Sequence, residues 1–363
     1  MTYETSVAAI QAQLEKMNVS KPVGRVSQVK ANTVHLTGLD CHARIGDRIT
    51  IYRTDQNPLR GEVIQCTENA LTMLPDGPIE GIALGNRAVV DEPTAIYPST
   101  SWIGRIVDPN GIPLDGHPLL AGAISKPLSA KPPAAATRRG LGTRLATSLP
   151  VFDTFLPLAK GQRLGLFAGS GVGKSSLIGQ FAKHVEADVV VIAMIGERGR
   201  EVRHFVDNVL GEKGLSRSVV VVATSDQSAS LRRQCASTAM AVAEHFRDNG
   251  KSVLLLADSI SRFAEAHREI AVSAGEAPVL RGHPASATSA IMSLCERAGP
   301  GDSDQGDITA VFSVLVAGSD MDEPIADILR GVLDGHVVLD RAIAERGRYP
   351  AIDLLRSISR SLP

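Results

Sequence analysis

The sequence predicts an α/β protein, a mostly parallel sheet with helices on both faces, preceded by a small β-barrel. Three observations carry this. From residue 150 on, Val/Ile/Leu-rich runs at 163–167, 188–194, 218–223, 252–257, 308–316 and 336–339 alternate with helical stretches such as 229–249 and 259–275. Such unbroken apolar runs suit strands buried on both faces, and helices between them imply parallel crossovers. Residues 22–90 read differently, as short β-like runs at 25–29, 33–36, 48–52, 62–66, 70–73 and 87–90. Their spacing of roughly ten residues, with Gly, Asp, Asn and Pro between, is that of a small all-β barrel. Third, the run Ala168-Gly169-Ser170-Gly171-Val172-Gly173-Lys174-Ser175 joins a strand-like segment at 163–167 to a helix-like one at 176–185. A phosphate-binding loop requires that context.

Bulk composition narrows the class. The 363 residues leave room for two or three domains. Hydrophobic content of 44%, charged content of 21% and a net charge of −1 describe a soluble globular chain and argue against a general polyanion binder. There is no apolar stretch of about 20 residues and no basic-plus-apolar start, so the expected location is cytoplasmic. Cys41, Cys66, Cys235 and Cys295 lie far apart without metal-ligand spacing and are expected to be reduced and structural. Adjacent Cys41 and His42 are poor geometry for two ligands of one metal.

Taken in order, residues 1–18 place Val7, Ile10, Leu14 and Met17 on one helical face. That amphipathic helix, assigned to 1–20, packs on its own domain or docks a partner. The barrel is assigned to 21–92 and the α/β domain to 93–363. The latter opens with a Pro-, Ala- and Gly-rich connector at 93–150, where Trp102 is expected to be a packing anchor.

The glycine-rich loop carries the chemistry. Small residues let the backbone N–H groups from Gly169 through Val172 and Gly173 to Ser176 curl around a phosphate, and the helix N-terminus adds favourable partial charge. Lys174 would reach the β- and γ-phosphates, and the Ser175 hydroxyl would ligate Mg²⁺. Ala168 stands where the full pattern has Gly, which a chain tolerates if that backbone does not need positive φ. An ordinary glycine turn is the alternative, and Lys-Ser at the helix start disfavours it.

Hydrolysis needs a second carboxylate on the Mg²⁺ side, a group that orients water, and cations for the transition state. The apolar strand at 252–257 ends in Asp258, which would hold Mg²⁺ through its water shell; the plainer reading is a helix-capping Asp. The second strand ends in Glu197, expected beside the loop because neighbouring strand ends line one crevice. Glu197 is the candidate general base, and Arg198 serves the γ-phosphate or a subunit interface. Arg262, at i+4 from Asp258, could lean back toward the same site.

Together these segments resemble the ATPases of type III protein export, most of all the flagellar export ATPases, which are relatives of the catalytic subunit of rotary ATP synthases. The resemblance covers about residue 20 to 363 and is strongest from Gln162 on. Besides the loop it rests on Ile195-Gly196-Glu197-Arg198-Gly199-Arg200-Glu201-Val202, Asp258-Ser259-Ile260-Ser261-Arg262-Phe263 and His267-Arg268-Glu269-Ile270. It continues through Ile325-Ala326-Asp327, Leu333-Asp334-Gly335-His336 and the segment from Tyr349-Pro350-Ala351-Ile352-Asp353 to Arg360.

The resemblance implies a RecA-like P-loop core hydrolysing ATP with Mg²⁺, and an Ala at the head of the loop is usual there. It casts Arg360 as an arginine finger offered to the neighbouring subunit in a ring of six, and Tyr349 as the aromatic on the adenine. Glu197 is cast as the catalytic glutamate, and Arg198 and Arg262 as γ-phosphate or interface arginines. It further implies a regulatory stator protein at the N-terminal helix, and export-gate and chaperone–cargo partners. The implied location is peripheral to the membrane, at the base of the export apparatus. Two departures stand out. The segment Arg281-Gly282-His283-Pro284-Ala285-Ser286 resembles one that usually carries an aromatic at the position of His283. The family also continues beyond its Ser-Arg motif into a helical domain, so the expectation is that this chain lacks it, which bears on substrate docking and ring formation.

Other readings are an injectisome ATPase and a non-catalytic ring subunit, against which Glu197 argues. A nucleic-acid motor would need stacking aromatics, and residues 22–90 offer only Tyr52. No nucleic-acid partner is therefore expected. The Gly196–Glu201 run disfavours a membrane-rotor subunit.

Overall fold

The structure is a computed structural model that describes residues 21–54, 56–92, 95–279, 282–316, 321 and 323–360. The helix expected at 1–18 lies outside the described residues. The chain divides into two compact units, Met1–Pro93 and Thr94–Pro363.

In the first unit β1 (Val23–Val29), β2 (Val34–Thr37), β3 (Arg48–Tyr52), β4 (Leu59–Cys66), β5 (Leu71–Pro75) and β6 (Arg87–Val90) close an antiparallel barrel in the order β1-β2-β5-β4-β3-β6. Alternate residues point inward, so Val34, Leu36, Ile49, Ile51, Leu71 and Met73 are fully buried. Closure leaves no free sheet edge. The strands match the predicted ones closely, except that β4 starts at Leu59 instead of residue 62. Gly61 reads as a break, but it is a close-approach position: a Cβ there would overlap the Met73 side chain and the Leu74 carbonyl.

The second unit holds two short pairs, β7 (Ala95–Ile96) with β9 (Lys126–Pro127) and β10 (Arg144–Leu145) with β11 (Leu158–Ala159). Its main sheet comprises β8 (Ile106–Val107), β12 (Arg163–Ala168), β13 (Val189–Glu197), β14 (Ser218–Thr224), β15 (Ser252–Asp258), β17 (Asp307–Leu315), β18 (Gly335–Leu339) and β19 (Ile352–Ser359). The order is β19-β18-β12-β17-β15-β13-β14-β8, with β16 (Gly299–Pro300) antiparallel to β17. Every neighbouring pair from β18 to β8 is parallel. Alternating residues of β13 feed two cores: Val191, Ala193 and Ile195 enter one, Val190, Ile192 and Met194 the other. That two-sided burial is why the strand reads as a continuous apolar run. The helices Lys174–His184, Ala229–Asp248, Ile260–Ser273 and Ala285–Arg297 cover the faces.

Besides the two-residue strands of the short pairs and β16, two strands in the main sheet's order escape the residue pattern. The connector supplies β8, paired to β14 through Ile106↔Val220 and Val107↔Val221, with Trp102 buried nearby in the same core as Val107. Two residues are too few for a periodic signal. At the other edge β19 runs antiparallel to β18, and Leu354 and Leu355 remain exposed, so its burial pattern lacks the inside–outside alternation of a half-buried strand. All four cysteines are free, with Cys235 and Cys295 buried.

Candidate active site

The loop after β12 is built as its composition requires. Gly171 and Gly173 have φ of +76° and +91°, a region open to glycine and strained for other residues. Ala168 ends β12 fully buried, and Ser148 is the only non-glycine residue with positive φ among the described residues, so no glycine is needed at 168. Val172 turns its side chain into the core and leaves only its backbone to the loop. Gly169, Ser170, Gly171, Gly173 and Lys174, followed by Ser175 and Ser176 in the first turn of the helix Lys174–His184, line a cleft of about 910 Å³. That volume suits a nucleotide-sized ligand.

Lys174 stands between two carboxylates. Its Nζ forms a tight ion pair with Asp258 Oδ1 and lies 3.9 Å from Glu197 Oε1. Ser313 Oγ donates to the same Asp258 oxygen at 2.6 Å. The capping alternative for Asp258 is excluded: Ser259 caps the helix Ile260–Ser273, its side chain accepting from Arg262 N. Asp258 therefore faces the loop lysine instead of a helix end.

Glu197 reaches the lysine by a route the sequence does not suggest. β13 is not the neighbour of β12, since β17 and β15 lie between them. The register of β13 against β14 slips between Ile195 and Glu197, where Gly196 has φ of +67°. This bulge, with Glu197 O accepting from Ser225 N at 3.0 Å, fixes the strand tip three residues past Met194, the partner of Asp258. Burial raises the Glu197 carboxyl to about 7, Asp258 adds to the rise, and Lys174 opposes it. A carboxyl poised there can accept a proton near neutral pH.

Arg198 and Arg262 line the same cleft, and so do Glu201, Glu265 and His283. Arg198 Nη1 pairs with Glu201 at 3.4 Å, and Arg262 Nη1 with Glu265 at 2.9 Å. Tyr349 is 63% exposed, and its ring lies 3.3 Å from where a Cβ on Gly173 would stand, so it borders the loop. Arg360 is elsewhere. Its N–H donates to Asp334 O at 3.0 Å, and Asp334 N–H to Arg163 O at 2.9 Å, at the start of β12. The loop follows the opposite end of that strand, roughly 20 Å away at the usual rise per residue. Arg360 does not meet its own cleft.

Two contacts are not legible in the sequence. Ser313 shares the buried run of β17 with a second hydroxyl, Thr309, so its polar side chain does not single it out. Arg341 Nη2 donates to Ser170 O at 3.2 Å, tying the segment after β18 to the loop; nothing local marks it. Beside the loop the donors that could face a metal are oxygens: the Ser175 hydroxyl and Glu197 carboxylate, which line the cleft, and the Asp258 carboxylate paired with Lys174. That set suits Mg²⁺, which takes one or two protein oxygens beside phosphates and water. Among the described residues no cluster of three or more His, Cys, Asp or Glu side chains could cage a metal, and no helix is long and apolar enough to cross a membrane.

Comparison with known proteins places the chain. The ATP synthase alpha/beta family, nucleotide-binding domain, matches residues 148–359. The flagellum-specific ATP synthase of Caulobacter vibrioides is 45% identical, over 97% of this chain and 81% of that protein. The type 3 secretion system ATPase of Xanthomonas euvesicatoria is 40% identical, over 97% and 79%. The assembled ATPase EscN of the enteropathogenic E. coli type III secretion system superposes with a TM-score of 0.84 at 36% identity, covering 93% of this chain and 80% of that one. EscN in complex with its central stalk EscO gives the same TM-score at 37% identity. With the phosphate loop, the buried lysine–carboxylate cluster and these identities in agreement, the chain belongs to the type III protein export ATPases, ATP-hydrolysing enzymes of the ATP synthase alpha/beta family.

Proposed function

We propose that this chain hydrolyses ATP in the cleft above β12 and β15 to energise type III protein export, in the flagellar branch. The observation that carries the chemistry is the position of Lys174 between Asp258 and Glu197 at the mouth of a glycine-rich loop. The loop N–H groups and Lys174 bind the triphosphate, and the nucleotide phosphates draw Lys174 away from its carboxylates. Glu197 then accepts the proton of the attacking water and holds that water in line. Ser175 and Asp258 would hold Mg²⁺, which when bound neutralises charge on the β- and γ-phosphates. Arg198 and Arg262 line the side of the cleft where the terminal phosphate would lie, and Tyr349 borders the loop where the base would rest.

Arg360 completes the site only from another copy, because it stands at the far end of the sheet from its own loop. We therefore read the working form as a homo-hexameric ring with Arg360 supplied in trans. A stalk- or stator-like partner at residues 1–20 and chaperone–cargo complexes at the export gate belong to the same reading, as does a cytoplasmic position at the base of the apparatus. The flagellar reading is favoured by the higher identities to flagellum-specific relatives. The test is ATP hydrolysis per subunit against protein concentration, with Glu197→Gln as control. Specific activity that climbs with concentration and vanishes in the variant supports the ring. Hydrolysis that persists in Glu197→Gln refutes the assignment.

A further inference from the structure

Two side-chain nitrogens of residues lining the cleft are buried and make no hydrogen bond among the described residues: Arg262 Nε and His283 Nδ1. A buried polar atom without a partner is unfavourable, so two such nitrogens on residues that line one cleft mark a place where a ligand could satisfy both. They come from neighbouring elements, Arg262 from the helix Ile260–Ser273 and His283 from the segment leading into Ala285–Arg297, and those helices pack together. Nε is a donor in every state of arginine, and an imidazole nitrogen becomes one on protonation. The matching ligand is an anion.

The surroundings agree. His283 faces Arg268 and Glu265 of one helix and Glu323 at the start of Pro324–Val332. Burial holds the imidazole below its ordinary pKa, Arg268 lowers it further, and the two glutamates only partly oppose this. The ring is thus neutral near pH 7 in the empty cleft, whose other charged groups are Lys174, Glu197, Arg198, Glu201 and Arg262. An incoming dianion changes that balance. We propose that His283, with Arg262, forms an oxyanion subsite that takes a tetrahedral dianion, the terminal phosphoryl group of ATP or the phosphate it releases, and takes up a solvent proton in doing so. The proposal rests on the cleft being an ATP site.

Sulfate is the probe, because it remains a dianion where imidazole titrates. It is titrated calorimetrically into the ADP complex of the full chain at about pH 6 and about pH 8, on either side of an ordinary histidine. The background is Glu197→Gln, which removes a second cleft group raised into this range. Sulfate binds on the order of tenfold tighter at the lower pH, the effect of raising one imidazole by one unit. Adding His283→Tyr or His283→Gln abolishes the difference, and ADP affinity in the same titrations reports an intact fold. The His283 ring resonance with ADP, with and without sulfate, shows the titration moving to higher pH without that second substitution. Sulfate affinity that ignores pH, or a dependence that survives loss of His283, overturns the subsite while leaving the ATP site standing. Failure of ADP to bind overturns both.

Discussion

Glu197 Oε1 lies 3.9 Å from Lys174 Nζ, yet its carboxyl is raised to about 7. Burial and the charge of Asp258 outweigh the lysine. The group is mostly protonated below that value and becomes a base above it, so kcat/KM for ATP is expected to climb through about pH 7 and level off. Glu197→Gln flattens the profile and lowers turnover roughly 10²–10⁴-fold. Stability runs the other way. The folded state keeps this proton to higher pH than the unfolded chain, so the stability contributed by this group falls as pH rises from the ordinary carboxyl range through about 7. Thermal unfolding of Glu197→Gln should show its gain over the parent above pH 7 and lose it in acid.

Asp258 is buried, and Lys174 is its cation. Lys174→Met should abolish nucleotide binding and also destabilise the protein by about 3 kcal/mol, because a buried carboxylate loses its partner. Lys174→Met/Asp258→Asn should regain most of that stability without regaining binding. Urea denaturation of the two variants and the parent makes the comparison.

Arg360 and the phosphate loop occupy opposite ends of β12. Arg360→Ala should therefore bind ATP normally while losing turnover by about 10³–10⁵, the usual contribution of an arginine finger. Mixing Arg360→Ala with Glu197→Gln should restore part of the activity, since each supplies what the other lacks across a shared interface. A mixture as inactive as its components would show that Arg360 does not act between subunits.

Away from the cleft, Arg297 makes a bidentate pair with Glu244 at 2.8 and 2.7 Å, both side chains 5% exposed. Arg297→Met should cost about 3–5 kcal/mol by leaving a buried charge unpaired, whereas Arg297→Met/Glu244→Leu should come back toward the parent. Chemical denaturation checks both, and the lysine-linked cleft should bind nucleotide unchanged in the double variant.

Much of the architecture is legible in the residue pattern because its physics is local. Strands buried on both faces must be apolar throughout, loop glycines must take positive φ, and a lysine followed by serine must stand at a helix start if phosphate is to be bound. These demands fall on adjacent residues, so Lys174, Ser175, Asp258 and Glu197 stand out as candidates from residue type and spacing alone. Relations set by strand order do not. Sequence places Glu197 beside the loop by assuming that β13 neighbours β12. The fold puts two strands between them and brings the carboxylate back through the bulge at Gly196. The edge strands β8 and β19 escape because one is too short for a period and the other shows an irregular burial pattern. Ser313 on Asp258, Arg341 on Ser170, the nitrogens of Arg262 and His283 left without a partner among the described residues, and the distance of Arg360 from its own loop all depend on segments far apart in the chain. The sequence by itself determined which chemistry the chain carries, because that is written in residue type and close spacing. Only the tertiary structure decided which groups share a cleft, because contact between distant segments is fixed by how the sheet is ordered and packed.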